Sequence, residues 1–255
     1  MKTVIMKSVE FGDGMPKICV PIIAKIEEEI IEQAKVIVKT PLDIVEWRMD
    51  WFEDVENIDA VIMITKRLRK IFEDIPILAT FRSKKEGGNK EISMEKYVEL
   101  TLAVVNSSYI DAIDVELFIG DETVKTIVKK AQEANVIVLM SNHDFIKTPP
   151  QEEIIKRLCK MQELGADILK IAVMPTCKGD VLTLLNATSL MKEKYADRPI
   201  VTISMAKDGL ISRLSGEVFG SCLTFGCLEK ASAPGQMDVY TLKSILTSLH
   251  NSLRM

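Results

Sequence analysis

Eight times along the chain a short β-like run is followed by an amphipathic helical stretch, and no other feature narrows the choice of fold so far. The β-like runs lie near 17–23, 44–50, 76–82, 112–117, 136–143, 168–173, 199–205 and 219–227. The helical patterns lie near 24–36, 56–73, 93–107, 121–134, 151–164, 178–194, 207–214 and 238–252. Strands joined through helices pair in parallel, because each helix carries the chain back to the edge from which the strand began. Eight such units predict an α/β fold, a (β/α)8 TIM barrel. Residues 1–15 precede the first unit and read as an extra N-terminal β-hairpin, with Gly12-Asp13-Gly14 near its turn, laid over the N-terminal mouth. No linker, repeat or low-complexity segment interrupts the pattern, so residues 1–255 are expected to form a single barrel domain.

Composition supports this reading and removes several function classes. Hydrophobic residues make up 47% of 255, enough to fill a barrel and coat its outside. The net charge is −4 and no basic patch stands out, which argues against a nucleic-acid partner. No apolar run approaches the ~18 residues of a membrane span. The opening Met1-Lys2-Thr3-Val4-Ile5-Met6-Lys7 lacks the apolar core of a secretory signal. Five cysteines at irregular spacing are then expected as reduced thiols in a cytoplasmic protein.

A parallel barrel carries its functional side chains at the C-terminal ends of the strands. In Val45-Glu46-Trp47-Arg48-Met49-Asp50 the apolar residues share one parity, so Glu46 and Arg48 are expected to point inward near the top. Arg82 takes the face opposite Phe81, His143 closes the fifth strand, and Lys170 sits inside the apolar run Ile168-Leu169-Lys170-Ile171-Ala172-Val173 on the sixth. Burial disfavours an ammonium and leaves a nucleophilic amine, suited to a Schiff base with a carbonyl substrate. The plainer reading is a lysine paired to a carboxylate or reaching water from a strand end. Arg48 with Glu46 also reads as a structural ion pair, Glu86 as a solvated loop residue after Lys84-Lys85, Arg213 as a helix cap, and His143 as a core histidine.

Taken together, these residues favour chemistry. Four cations against two acids at one mouth imply an anionic small substrate, a carboxylate. An iminium acidifies the adjacent carbon, and His143 is a base of suitable pKa, with Glu86 able to hold one tautomer. A hydroxyl on the next carbon would then leave as water. Ala231-Ser232-Ala233-Pro234-Gly235-Gln236, after the eighth strand, reads equally well as a mobile lid or an ordinary turn. With only His143 and His250 available, no histidine-based metal site is expected, and no glycine-rich segment matches a dinucleotide or phosphate loop.

Read in order, Glu46-Trp47-Arg48-Met49-Asp50, Thr80-Phe81-Arg82, Glu86-Gly87-Gly88, Ser141-Asn142-His143-Asp144-Phe145, Leu169-Lys170-Ile171-Ala172, Ile211-Ser212-Arg213-Leu214, Gly216-Glu217-Val218-Phe219-Gly220-Ser221 and 231–236 resemble type I 3-dehydroquinate dehydratases of the shikimate pathway. The resemblance implies a barrel that pairs as a homodimer and makes chorismate precursors for aromatic amino acids. It implies a hydro-lyase needing no metal and no cofactor. Lys170 would form an imine with the C3 ketone of 3-dehydroquinate, His143 would remove the C2 proton, and Glu86 would orient His143. Arg213 would take the carboxylate; Glu46, Arg48 and Arg82 would read hydroxyls; Ser232 and Gln236 would close the lid. Pro21 stands where many relatives have a serine that bonds the substrate. Another Schiff-base barrel, such as a class I aldolase, and a non-catalytic carboxylate-binding scaffold are the rival readings. The first is weakened by the lack of a paired-glycine phosphate cradle after strands seven and eight, and the second by the presence of Lys170 and His143.

Overall fold

The structure is a computed structural model that describes residues 2–228 and 232–255. A hairpin of β1 (Val4–Met6) and β2 (Val9–Phe11) leads into β3 (Lys17–Ile22), α1 (Glu27–Ile37), β4 (Ile44–Arg48), α2 (Ile58–Phe72), β5 (Ile77–Thr80) and α3 (Met94–Asn106). There follow β6 (Ala112–Glu116), α4 (Asp121–Glu133), β7 (Ile137–Asp144), α5 (Gln151–Glu163), β8 (Ile168–Val173) and α6 (Lys178–Leu190). The chain closes with β9 (Ile200–Ser204), α7 (Leu210–Leu214), α8 (Gly216–Phe219), β10 (Leu223–Cys227), β11 (Met237–Asp238) and α9 (Val239–Leu253).

The sheet runs β11-β10-β3-β4-β5-β6-β7-β8-β9, every pair parallel. It curls shut where Ile200 bridges Ser221 and Cys222 N donates to Ile200 O at 2.8 Å. Strands buried on both faces explain why the β-like runs are nearly all apolar. Val45 and Trp47, with Met49 just beyond the strand, join the layer under the helices, while Cys19, Ile44, Leu78, Ala112, Leu139 and Ile168 fill the inside.

Three aspartates lock the N-terminal rim. Asp43, Asp111 and Asp167 each stand one residue before β4, β6 or β8. Each accepts a backbone N–H from the preceding strand, Ile18, Ile77 and Val138 respectively, at 2.7–2.8 Å. These donors would otherwise be orphaned at the strand ends. The hairpin plugs the same mouth, with Met6 and Phe11 buried in the inner core. Its reversal is at Lys7-Ser8, with Lys7 at φ 55°, and not at Gly12-Asp13-Gly14, which instead bends the chain into β3.

The eighth unit differs most from expectation. Phe219, read as the start of the strand, ends the short helix α8, and the strand begins only at Leu223. Gly220 ends α8 at φ 111°, and an added Cβ there would press on Lys192 at 2.7 Å. Local β propensity loses to a helix stop that the preceding unit supplies. His250, expected at the surface, is half-buried on α9 and bonds Glu217 Oε1 at 2.7 Å through Nδ1.

Candidate active site

Glu46, Arg48, Arg82, Glu86, His143, Lys170, Arg213, Ser232 and Gln236 all line one cavity at the C-terminal mouth. Apolar walls come from Phe145, Ala172, Ile203, Met205 and Phe225, which sequence reading did not single out. Ala231 lies outside the described residues. Pro21 pairs in register with Glu46 but lines a neighbouring recess with Ile23, Gln33 and Ile37 instead of this cavity.

Lys170 is 4% exposed, on β8. Its Nζ lies 4.4 Å from the Phe225 ring centroid and 4.0 Å from Asp114 Oδ2. That carboxylate is already engaged: Asp114 accepts from Arg82 Nη2 and from Ser141 Oγ, both at 2.7 Å. Burial is the dominant effect and pulls the lysine below its ordinary range; Glu46 and Asp114 oppose it without prevailing. Burial thus shifts this amine toward its neutral, nucleophilic form.

His143 stands one strand over and two residues further up, since Ser141 is the register partner of Lys170. Its Nδ1 lies 3.0 Å from Glu86 Oε2, which also accepts His143 N at 2.9 Å. A carboxylate at Nδ1 fixes the proton there and leaves the lone pair on Nε2. Burial, with Arg82, Lys170 and Arg48 adding repulsion, holds the imidazole well below its usual pKa, so it is a neutral base. Glu86 sits in a tight turn at Lys84–Glu86 that ends in Gly87 at φ 82°. A Cβ on Gly87 would meet Phe145 at 2.2 Å, so only glycine lets this turn pack against the cavity wall. Burial raises Glu86 to about 7, against the pull of Arg82.

The charge balance is not the positive one expected. Arg48 is bidentate on Asp50, through Nε and Nη2 at 2.8 Å each. Arg82 reaches Asp114, Glu116 and Ser141 Oγ, and Glu86 at 3.5 Å. Burial alone would weaken the Arg82 charge; these acids reverse that and hold it firmly. Glu46 accepts from Thr80 Oγ1 at 2.9 Å. Asp50, Asp114 and Glu116 were missed, although Asp114-Val115-Glu116 repeats the inward parity of Glu46-Trp47-Arg48. The four cations Arg48, Arg82, Lys170 and Arg213 thus meet the five acids Glu46, Asp50, Glu86, Asp114 and Glu116.

One cation has no acid among the described residues. Arg213 is 2% exposed; Nη2 donates to Pro234 O at 2.9 Å, and Nε has no partner among the described residues. Burial lowers it to about 10, and no described carboxylate opposes that. A buried guanidinium in this state is a receptor for an anion. The loop carrying Pro234 is seated over it. Ala206 N donates to Pro234 O at 3.2 Å, and Ser232 and Gln236 bond each other twice at 2.8 Å. The space beneath is about 40 Å³, well under the ~300 Å³ at which ligand pockets begin.

Among the described residues no cluster of His, Cys, Asp or Glu could hold a metal ion, and no helix is long and apolar enough to cross a membrane. The cavity thus brings together a buried amine whose pKa is lowered, a neutral imidazole braced by a carboxylate, and a forked cation with no acid among the described residues.

Comparison with known proteins agrees with that chemistry. Residues 18–253 match the family described as Type I 3-dehydroquinase. The chain is 53% identical over 252 residues to 3-dehydroquinate dehydratase of Clostridioides difficile (strain 630), covering 99% of each. It is 52% identical over 252 residues to that of Salmonella typhimurium, covering 99% of this chain and 100% of the other. It is also similar to a crystal structure of type I 3-dehydroquinate dehydratase from Clostridium difficile with covalent modified comenic acid. The TM-score is 0.96 at 53% identity, over 98% of this chain and 99% of that one. On sequence, fold and cavity alike, the chain belongs to the type I 3-dehydroquinase family.

Proposed function

We propose that this chain dehydrates 3-dehydroquinate to 3-dehydroshikimate, in the shikimate pathway, through an imine on Lys170. The observation that carries the mechanism is a buried lysine whose nearest carboxylate is already engaged by Arg82 and Ser141. The neutral Nζ attacks the C3 ketone, the carbinolamine loses water to give an imine, and that imine takes one proton from solvent to become the iminium, a proton returned when the product imine is hydrolysed. The iminium acidifies C2, and His143 Nε2 takes that proton. The electron pair expels the C1 hydroxyl, which leaves as water after receiving a proton from His143. Water then hydrolyses the conjugated imine, freeing the product and Lys170.

Glu86 keeps the His143 ring in one tautomer and steadies the imidazolium formed in transit. Arg213 binds the substrate carboxylate, exchanging part of its contact with Pro234 O for a charged partner. Glu46 and Arg48 address hydroxyls. Arg82, held on its acids, acts chiefly as a fixed charge in the wall. Ser232 and Gln236 close over the bound substrate. No metal and no cofactor is needed, because the imine provides the electron sink. The covalently modified ligand of the Clostridium difficile relative accords with a nucleophile in this family.

The remaining parts of the reading follow the family: residues 1–255 as one barrel domain, a homodimer, and a cytoplasmic location. The continuous nine-stranded curled sheet supports the first. Borohydride reduction during turnover, followed by peptide mass mapping, tests the chemistry. A substrate-derived adduct on the Lys170 peptide is expected, and none with Lys170→Met. An adduct on another lysine refutes the mechanism.

A further inference from the structure

The base and its carboxylate do not stand alone. Asn142, next to His143 on β7, is 4% exposed, and its Nδ2 donates to Glu86 Oε1 at 3.0 Å. Its Oδ1 accepts from Arg157 Nη1 at 2.9 Å. Arg157 lies on the outer helix α5, two turns from its start, and is absent from the cavity lining. A continuous path therefore runs from a helix outside the barrel to the imidazole: Arg157, Asn142, Glu86, His143.

The path has a direction set by hydrogen-bond chemistry. A guanidinium only donates, so the Asn142 atom facing Arg157 must be the oxygen. The amide nitrogen is then obliged to face Glu86, where a donor meets a carboxylate. Ionised Glu86 holds the amide the same way round, and Arg157 is the second restraint, the one that persists when Glu86 takes up a proton. Arg157 is itself held firmly. Nε bonds Glu153 Oε1 at 2.8 Å, Asp144 Oδ2 lies 3.9 Å from Nη1, and the guanidinium covers the Phe118 ring at 5.6 Å. The other charged groups facing Glu86 are Arg82, Glu116 and His143.

We propose that Arg157 is a positioning residue for the dehydration: it fixes the Asn142 amide so that Asn142 donates to Glu86 and Glu86 stays aimed at His143. The effect lies on the proton-transfer step and not on substrate binding, because Arg157 touches no part of the cavity. Loss of the Asn142 donor destabilises ionised Glu86, so more acid-sensitive catalysis follows, with the acidic limb moving to higher pH.

This inference rests on the roles given above to Glu86 and His143, and the experiment separates the two. Arg157→Met keeps an apolar stem over Phe118 and removes only the donors. It should lower kcat roughly three- to tenfold, the scale of one hydrogen bond, and leave KM unchanged. The acidic limb of kcat/KM should rise by about half to one pH unit. In an Asn142→Ala background the same substitution should add nothing, because the path is already cut. Glu153→Gln, which removes the other partner of Arg157, should leave the limb in place. Arg157→Gln repeats the measurement if Tm shows that Arg157→Met folds poorly.

An unmoved limb in Arg157→Met, an equal shift in Glu153→Gln, or full additivity with Asn142→Ala overturns the inference. Glu86→Gln is the reference. If it abolishes the limb while Arg157→Met leaves it untouched, only the role of Arg157 falls. If Glu86→Gln keeps the limb, the role of Glu86 falls and that of Arg157 with it.

Discussion

For a lysine that is 4% exposed, burial outweighs the nearby Glu46 and Asp114 and shifts position 170 toward the neutral amine. Asp114 is spent on Arg82 and Ser141, and what remains beneath the ammonium is the Phe225 ring. The same burial keeps His143 neutral and raises Glu86 to about 7. One apolar enclosure thus prepares a nucleophile and a base together. The acid limb follows from these directions. His143 stays neutral well below its usual range, so it does not set the limb. Glu86, raised, becomes protonated as pH falls through about 7, and kcat/KM should decline there. His143→Ala should lower kcat by roughly 10²- to 10⁴-fold. Activity within a few-fold of the parent would assign the base elsewhere.

At the scale of elements, the loop after β10 lies over the cavity mouth, which Ser232, Ala233 and Gln236 line. Its Pro234 carbonyl is shared by Ala206 N and Arg213, and Gly235, at φ 81°, would place a Cβ 2.4 Å from Ala206 O. The loop is thus seated on the turn after β9 without any ligand, through contacts that a substrate carboxylate must partly replace. Arg213→Ala should reduce kcat/KM by about 2–5 kcal/mol, the cost of removing one side of a desolvated charge pair. Hydrogen exchange over residues 232–236 should slow when a product-like carboxylate is added. Equal protection with and without it would reject the lid and leave the amine chemistry standing.

For the molecule as a whole, the two mouths of the barrel divide stability from function. The N-terminal mouth is closed by the hairpin and by Asp43, Asp111 and Asp167, and it holds apolar volume such as the fully buried Phe11. Phe11→Ala should cost about 3–5 kcal/mol in urea unfolding, with a cavity left in the inner core. KM should be unchanged, because the substrate site lies at the opposite end. A Phe11→Ala protein of parental stability would mean that the hairpin does not plug the barrel.

The repeated strand-helix pattern was enough to foresee the barrel, because hydrophobic periodicity is a local property that survives whatever tertiary arrangement follows. Inward parity placed Glu46, Arg48 and Arg82 by the same rule, an apolar run marked Lys170, and the motifs after the strands placed Glu86, His143, Arg213, Ser232 and Gln236 at one mouth. The charge balance was not legible. Arg82 is neutralised by Asp114 and Glu116 from the next strand, and Arg48 by Asp50 beyond its strand end; such pairings depend on register and loop geometry. The helix at 216–219 was missed because Val218-Phe219 carries β propensity that the turn at Gly220 overrides. Sequence determined which side chains enter the barrel, through a period of two along each strand. Closing the barrel decided which charges meet and which one, Arg213, has no acid among the described residues, because that depends on distances between residues far apart in the chain.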